Sequence, residues 1–344
     1  DYLTEGFLHG QLNLSVDPPK ELLALTNPMD PAQNEGLRLG DASLYQGRYY
    51  LYFGPAPALL LLLPWQVMTG DHLPQWLATA AFASAGLGAL ALLLGGLRRR
   101  YFSAISPGQL FWAILLTGHV SWLPVILRRS AFWELSIVTA AALLWWSLFF
   151  LWRFHESGGR RTWSCAAGLA LTFALGARPT YVFAAGFVAL LFALPLSPSR
   201  PLLAAIRRLL PVTGPLVLGG LALLAYNYLR FGQPFEFGQR YQLWGDDYVR
   251  GASFFHLAYL PFNFRLYFFS LPEFSPYFPF LCPVWPDSLP PGYLAAEDMH
   301  GLLFALPVHL LGLIALLQVY RHRHDSAQHH LRLLVLAAFG TSLL

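Results

Sequence analysis

Two carboxylates open the chain, Asp1 and Glu5. Four residues apart, they share one face if the segment is helical, and a carboxylate so placed can take a proton from a hydroxyl as a general base. The same stretch carries Asp17, Glu21, Asp30, Glu35 and Asp41, and most carboxylates of such a segment are simply solvated. Arg178 stands beside Pro179, at a break between two apolar runs. A cation there can meet an anionic group, or it can lay its stem along apolar surface with its head in water. Arg128 and Arg129 end another apolar run, with Glu134 close enough in sequence to pair with them. Residues 41–57, DASLYQGRYYLYFGPAP, set Tyr45, Tyr49, Tyr50 and Tyr52 around Arg48, behind Asp41. Rings beside a cation suit sugar stacking or a lipid headgroup, and suit a plain aromatic belt equally. Residues 230–242, RFGQPFEFGQRYQ, repeat the theme with Arg230, Glu236, Arg240 and Tyr241. Gly232, Pro234 and Gly238 mark that stretch as a structured loop.

Other chemistry has little to stand on. His322, His324, His329 and His330 with Asp325 resemble metal-ligand material, but the segment is short and Arg-laced, and a solvated loop accounts for it. Asn13-Leu14-Ser15 fits a glycosylation acceptor pattern that is short and common. No phosphate-binding glycine loop, GxSxG, HExxH or CxxC occurs, so nucleotide-dependent chemistry has no visible site. No cofactor and no bound metal are expected, with a divalent ion left open. The two cysteines, Cys165 and Cys282, are too few for a disulfide scaffold.

The elements that must position these residues follow from composition. Of 344 residues, 56% are hydrophobic and only 12% charged, against about 25% charged in an ordinary soluble domain. The mean hydropathy is +0.47. Such a chain cannot cover itself with polar side chains in water. That excludes a water-soluble enzyme, a disordered protein and a nucleic-acid-binding module, which the pI of about 9.1 would otherwise suggest. Apolar segments of spanning length are 74–97, 108–127, 131–152, 209–229 and 299–319. The stretch 163–196 is broken at Arg178-Pro179 and reads as a hairpin of two short helices, with Pro179 in the first turn of the second. Residues 55–69 contain Pro55, Pro57 and Pro64 and read as an interfacial or re-entrant helix. Aromatic residues 252–271, which include His256, Pro261, Asn263 and Arg265, belong on the same interface. The apolar run from Leu331 to Leu344 is too short to cross, so the sequence reads as a fragment cut inside a membrane protein.

Charge orients the layout. Loops holding Arg98–Arg100, Arg153–Arg161, Arg200–Arg208 and Arg321–Arg332 fall on one side, whereas 14 of the 18 acids lie in 1–54 and 230–298. By the positive-inside rule the Arg-rich side is cytoplasmic. The expected fold is all-α, a polytopic transmembrane helix bundle with two large extracytoplasmic segments that contain interfacial helices. Its parts are a first outer segment 1–73, membrane helices over 74–229, a second outer segment 230–298, and further membrane helices over 299–344.

Arrangement and motifs together resemble the GT-C glycosyltransferases. The first outer segment opens on an acid and a helix, Asp1–Gly10; a Tyr-rich stretch, Tyr45–Pro55, then leads into a Pro-containing half-helix. A TG-x-x-LP-x-x-LA pattern, Thr69–Ala78, introduces the first full span, and Gly176-Ala177-Arg178-Pro179-Thr180 and Asn227–Gly238 follow. Within that superfamily the chain is similar to bacterial relatives of dolichyl-phosphate-mannose protein mannosyltransferases and of lipid A aminoarabinose transferases. The resemblance implies a sugar donor on a polyprenyl phosphate, a protein, glycan or lipid acceptor, and no nucleic-acid partner. It places the reaction on the outer face of a bacterial inner membrane. Asp1, with Glu5 second, becomes the base that deprotonates the acceptor hydroxyl for inverting attack. Arg178 becomes the contact to the leaving phosphate. Relatives carry Lys-Pro-Pro where this chain has Phe53-Gly54-Pro55, leaving Arg48 as the substitute cation, with Arg128 and Arg129 as further candidates. Asp41, Tyr49, Tyr50, Tyr52, Glu236, Arg240 and Tyr241 are expected to line the substrate site. A transporter or flippase of a lipid-linked substrate is the alternative, as is a non-catalytic membrane subunit of envelope synthesis. A transporter would place polar residues such as His119 and Glu134 at membrane depth.

Overall fold

The computed structural model describes residues 1–120, 123–192, 202–243, 256–277, 280–282, 286, 288–293, 301–305, 309–321, 331–332 and 334–336. The four histidines of the 322–330 segment lie outside the described residues.

The first segment builds a small core of its own. Helix α1 (Tyr2–Leu8) starts where the Asp1 side chain accepts from the amides of Leu3 and Thr4, a side-chain N-cap. A one-turn helix α2 (Lys20–Leu23) follows. Strands β1 (Ala42–Tyr45) and β2 (Arg48–Leu51) then pair antiparallel, with Ala42 opposite Leu51 and Tyr45 opposite Arg48. Their turn residues, Gln46 and Gly47, both have positive φ, 49° and 73°, which matches the right-handed twist of a two-residue hairpin. An all-α expectation omits this hairpin. Its sequence signal is two aromatic-rich runs parted by Gln-Gly.

Residues 55–69 form a π-type turn over Ala58–Leu62 that continues as α3 (Leu63–Thr69). Pro64 has no N–H to give to the carbonyl a turn back, and the helix widens just before it. Ala58 and Leu62 pack with Leu3, Leu44 and Tyr49, whereas Leu59, Val67 and Met68 point their apolar side chains outward. One buried face and one exposed apolar face suit an element lying on a membrane surface.

Helices α4 (Gln75–Tyr101) and α7 (Phe132–Glu156) are long and apolar enough to cross a membrane, as is residues Ala205–Phe231 of α10 (Leu202–Phe231). Arg98–Arg100 are the last turn of α4 rather than a loop. Three basic side chains there favour the negative end of the helix dipole, so the helix continues through them. For the same reason of continued helical hydrogen bonding, Arg207 and Arg208 lie inside α10, which also contains Pro211 and Pro215. The single span expected over 108–127 is a pair, α5 (Pro107–Val120) and α6 (Leu123–Arg129), bent by 51°. Pro124 sits at the break and cannot donate to the preceding turn. Between α7 and α10 lie α8 (Arg161–Ala177), a 3-10 turn Pro179–Tyr181 and α9 (Val182–Leu191), the short hairpin that the Arg-Pro break predicts. The later part holds α11 (Leu260–Phe269), strands β3 (Glu273–Phe274) and β4 (Leu281–Cys282), α12 (Leu302–Ala305) and α13 (His309–Arg321). Both α12 and α13 overlap the span expected over 299–319; residues 306–308 between them lie outside the described residues.

Packing fixes the direction of each helix. Tyr101 donates to Glu156 at 3.4 Å and Arg100 lies 3.9 Å from it, so α4 and α7 end side by side. Helix α8 returns along α7: Trp163 stacks on Phe150 near one end, and Ala177 packs with Ala140 towards the other. Helix α10 runs alongside α8 in the same direction, with Gly168 against Val212 and Gly219 against Thr172. Arg98–Arg100, Arg160 and Arg161 therefore gather at one end of the packed helices. Arg178, Arg230 and the N-termini of α4 and α7 gather at the other. The first segment sits on that second end, where Leu3, Leu22, Leu44 and Tyr49 share a core with Ala78 and Leu135. Exposed Phe111, Trp112, Leu116, Leu218 and Leu221 cover the sides of the helices with apolar surface that water would not tolerate on this scale.

Candidate functional site

The site is built on the tip of the α8–α9 hairpin. Helix α8 ends at Ala177 because Pro179 disfavours helical backbone at the residue before it, and Arg178 is extended, with φ −140° and ψ 108°. Directly after β2, Gly54 passes so close to Gly176 that a Cβ on Gly54 would collide with the Gly176 carbonyl. That approach brings Phe53 under the guanidinium of Arg178, whose Cζ stands 5.9 Å from the ring centroid. Arg178 Nη1 is buried and has no hydrogen-bond partner among the described residues. A guanidinium in that state can accept an anionic oxygen without first giving up a protein partner.

Aromatic residues frame the cation. Trp133, at the start of α7, packs edge-on to Phe53 at 5.3 Å and to Tyr52 at 6.0 Å. Burial pushes the Tyr52 phenol well above its ordinary value; the Asp41 carboxylate adds to the rise and the Arg178 guanidinium opposes it. Asp41 and Arg178 therefore both act on the Tyr52 hydroxyl. Asp41 and Tyr52 each lie one residue outside the last pair of the hairpin, Ala42–Leu51.

A second support lies beneath the hairpin. Arg230 is 4% exposed. It donates from Nη1 to the Leu51 carbonyl at 2.7 Å and from Nη2 to Asn227 Oδ1 at 2.6 Å, over the rings of Tyr226 and Phe231. Asn227 and Arg230, three apart on one helix, are legible as a same-face pair, but their hold on a strand distant in sequence is not. Ser43 donates to the Gly238 carbonyl at 2.7 Å, and Tyr45 to the Phe231 carbonyl at 3.2 Å. These bonds fasten the loop after α10 onto the hairpin.

The other sequence candidates fall in distinct places. Asp1 caps α1 through Oδ1. Glu5 accepts from the Ser15 hydroxyl and pairs with His72 at 3.0 Å; the Ser15 bond holds its carboxyl below the ordinary range, against an opposing effect of burial, and His72 lowers it further. Arg48 is exposed beside the hairpin turn. Tyr49 and Tyr50 are buried as core of the first segment, where Tyr50 packs on Phe231. Arg129 lies 3.4 Å from Glu134, the salt-bridge arrangement, and Arg128 is exposed. Glu236 pairs with Arg240 at 3.6 Å and accepts from the Gly238 amide. Tyr241 stacks on Phe231 and against Tyr45. Of the candidates, Tyr52 and Arg178 thus lie near one another, and the Asp41 carboxylate acts electrostatically on Tyr52. Phe53, Trp133 and Arg230 complete the arrangement without having been singled out as ligands from sequence. Among the described residues no three His, Cys, Asp or Glu side chains gather as a metal site would need.

An apolar cleft of about 490 Å³ opens between α4 and α7. It follows α4 from Phe82 to Leu97 and takes in Leu123, Trp145 and Tyr181. Along α4 that is about 22 Å at roughly 1.5 Å per residue. Tyr181, one turn beyond Arg178, belongs to its lining, so the cleft reaches the neighbourhood of the cation. No family model, no curated protein and no solved structure matches this chain.

Proposed function

We propose that this chain is a polytopic membrane glycosyltransferase that moves a sugar from a polyprenyl-phosphate donor to an acceptor hydroxyl on the extracytoplasmic face. The observation that carries the reading is the Arg178 guanidinium, buried at Nη1 without a partner among the described residues, at the helix end away from the Arg98–Arg100 turn. If that basic end faces the cytoplasm by the positive-inside rule, Arg178 and residues 1–73 face outward. Sugars there are carried on lipids rather than on nucleotides. The apolar cleft near Tyr181 offers a course for a prenyl chain whose phosphate meets Arg178. Tyr52 and Trp133 offer rings near the cation on which the sugar can stack. As the anomeric C–O bond breaks, negative charge grows on the phosphate, and a fixed guanidinium in a dry site stabilises that growth with little reorganisation.

The test is transfer itself. Purified protein in nanodiscs is incubated with radiolabelled undecaprenyl-phosphate sugars and a membrane extract containing acceptors. Label should move to the acceptor fraction, and Arg178→Ala should abolish the movement. Transfer that persists in Arg178→Ala removes the phosphate role of this residue. Lipid flipping in liposomes without any transfer favours a flippase instead.

A further inference from the structure

The opposite end of the packed helices, the basic one, carries a seam that sugar transfer does not use. We infer that this seam, between the last turns of α7 and the first turn of α8, holds the headgroup of an anionic phospholipid, with Arg153 as its central contact.

The sequence puts the parts on one helix face. Trp146, Phe150 and Arg153 are four and three residues apart, so they line one side of α7, and all three are half-buried. The Trp146 and Phe150 rings lie 5.5 Å apart. Helix α7 leaves through Gly158 and Gly159, at φ 71° and 94°, whose amides donate back to the His155 and Phe154 carbonyls. That tight return starts α8 beside the helix just left. It brings Trp163, in the first turn of α8, nearly parallel to Phe150, with 6.0 Å between ring centroids. Arg153 Cζ then stands 5.0 Å from the centroid of Trp163 and 5.7 Å from that of Trp152. The result is a wall of rings drawn from two helices, with a guanidinium at its head.

Charge selects the occupant. Arg153 has no hydrogen-bond or ion-pair partner among the described residues, and only rings meet its charge. Ring faces return part of what water gives a cation, so an anion at its free edge still stabilises it. Arg160 and Arg161 are exposed just before Trp163, and Arg98–Arg100 end the neighbouring α4. Glu156 is the only acid in residues 135–208, and Tyr101 and Arg100 of α4 meet it. A free anion would use the guanidinium groups alone. A phosphodiester bearing acyl chains uses the rings as well: its phosphate meets Arg153, Arg160 and Arg161, and a chain runs down Phe150 and Trp146. Trp beside Arg at a helix end is the chemistry of a membrane interface, and basic pockets between membrane helices take acidic headgroups. Neither the glycosyltransferase reading nor the choice of leaflet enters this assignment.

The full chain in detergent is titrated with dioleoyl phosphatidylglycerol and, separately, with dioleoyl phosphatidylcholine. Native mass spectrometry reads the Kd of the first lipid bound. The wild type should bind phosphatidylglycerol at least about fivefold more tightly, the effect of one arginine beside an acidic headgroup. Arg153→Gln should weaken phosphatidylglycerol about fivefold and leave phosphatidylcholine unchanged. Arg160→Gln combined with Arg161→Gln, at exposed positions where folding is not at stake, should also weaken only phosphatidylglycerol. Lys20→Gln, exposed on α2 at the far end of the helices, should change neither lipid. Inorganic phosphate should displace phosphatidylglycerol no better than chloride at equal ionic strength, because a free ion leaves the rings unused. Equal binding of the two lipids by the wild type overturns the anionic site. A preference that survives Arg153→Gln, or that falls as far in Lys20→Gln, overturns its placement at the seam. Displacement by inorganic phosphate overturns the lipid as occupant and leaves a bare anion site. No arm reads sugar transfer, so each failure leaves the glycosyltransferase reading untouched.

Discussion

Arg230 Nη1 donates to the carbonyl oxygen of Leu51 at 2.7 Å, which ties the last turn of α10 to the strand residue immediately before Tyr52. The position of Tyr52 and Phe53 under Arg178 therefore depends on a charge that never reaches the site. Arg230→Met should remove the bonds to Leu51 and Asn227 and leave a buried carbonyl unpaired, at a cost of about 2 kcal/mol. Arg230→Lys should recover only part, since a single ammonium lacks the fork that serves both acceptors. A thermal melt of the detergent-solubilised protein reads the loss, and farnesyl phosphate binding should weaken with it. An unaltered melt for Arg230→Met would show that the hairpin holds without this strut.

Arg178 should behave in the opposite way. Its Nη1 satisfies no partner among the described residues, so Arg178→Ala should change the melting temperature little. Farnesyl phosphate binding should fall by about 2–3 kcal/mol, roughly 30–150-fold, as expected on losing a charge-assisted contact. Arg178→Lys should lie between, keeping the charge but not the planar fork. Equal binding by wild type and Arg178→Ala, measured by calorimetry, would contradict the anion role.

Gly54→Ala tests the backbone contact that brings the first segment to the hairpin tip. The new methyl would strike the Gly176 carbonyl, and forcing it in should cost about 1–3 kcal/mol. Gly214→Ala is the control, because a Cβ there meets nothing within 4 Å; within a helix it should be neutral or stabilising by up to about 1 kcal/mol. Both are read from melting temperatures, and a neutral Gly54→Ala would mean that the two backbones can part.

Acid should loosen the first segment through Glu5. Its folded carboxyl lies below the ordinary 4.5, chiefly through the Ser15 hydroxyl. A depressed carboxylate contributes stability in full above 4.5, and that contribution is lost as pH falls through the lower, folded value. Ser15→Ala should bring the folded value back towards the ordinary one and shrink the stability lost on acidification. Melting temperatures of wild type and Ser15→Ala between about pH 6 and pH 3 check this; parallel curves would remove Glu5 as the cause.

The sequence by itself determined the helical, apolar character of the chain, the break at Arg178-Pro179 and the sorting of charge. Each of these is local: a run of apolar residues, a proline that stops a helix, an arginine cluster at a helix end. The sequence also named Arg178 as the cation of interest, because a charged residue at a break between apolar runs is unusual enough to stand out. Glu134 as the partner of Arg129 was legible for the same reason, being five residues away. What tertiary structure alone decided is which residues share a site. Phe53 and Arg178 are far apart in sequence, and only the contact of two glycines brings that ring under the guanidinium. The turn of the hairpin before it, β1–β2, could be read from Gln46-Gly47, but the approach of Gly54 to Gly176 could not. Hydrogen bonds between backbone segments leave no mark on the side chains that spell the sequence. Arg230 shows the same limit: its charge is visible, but its bond to a carbonyl oxygen exists only once the chain has folded back on itself.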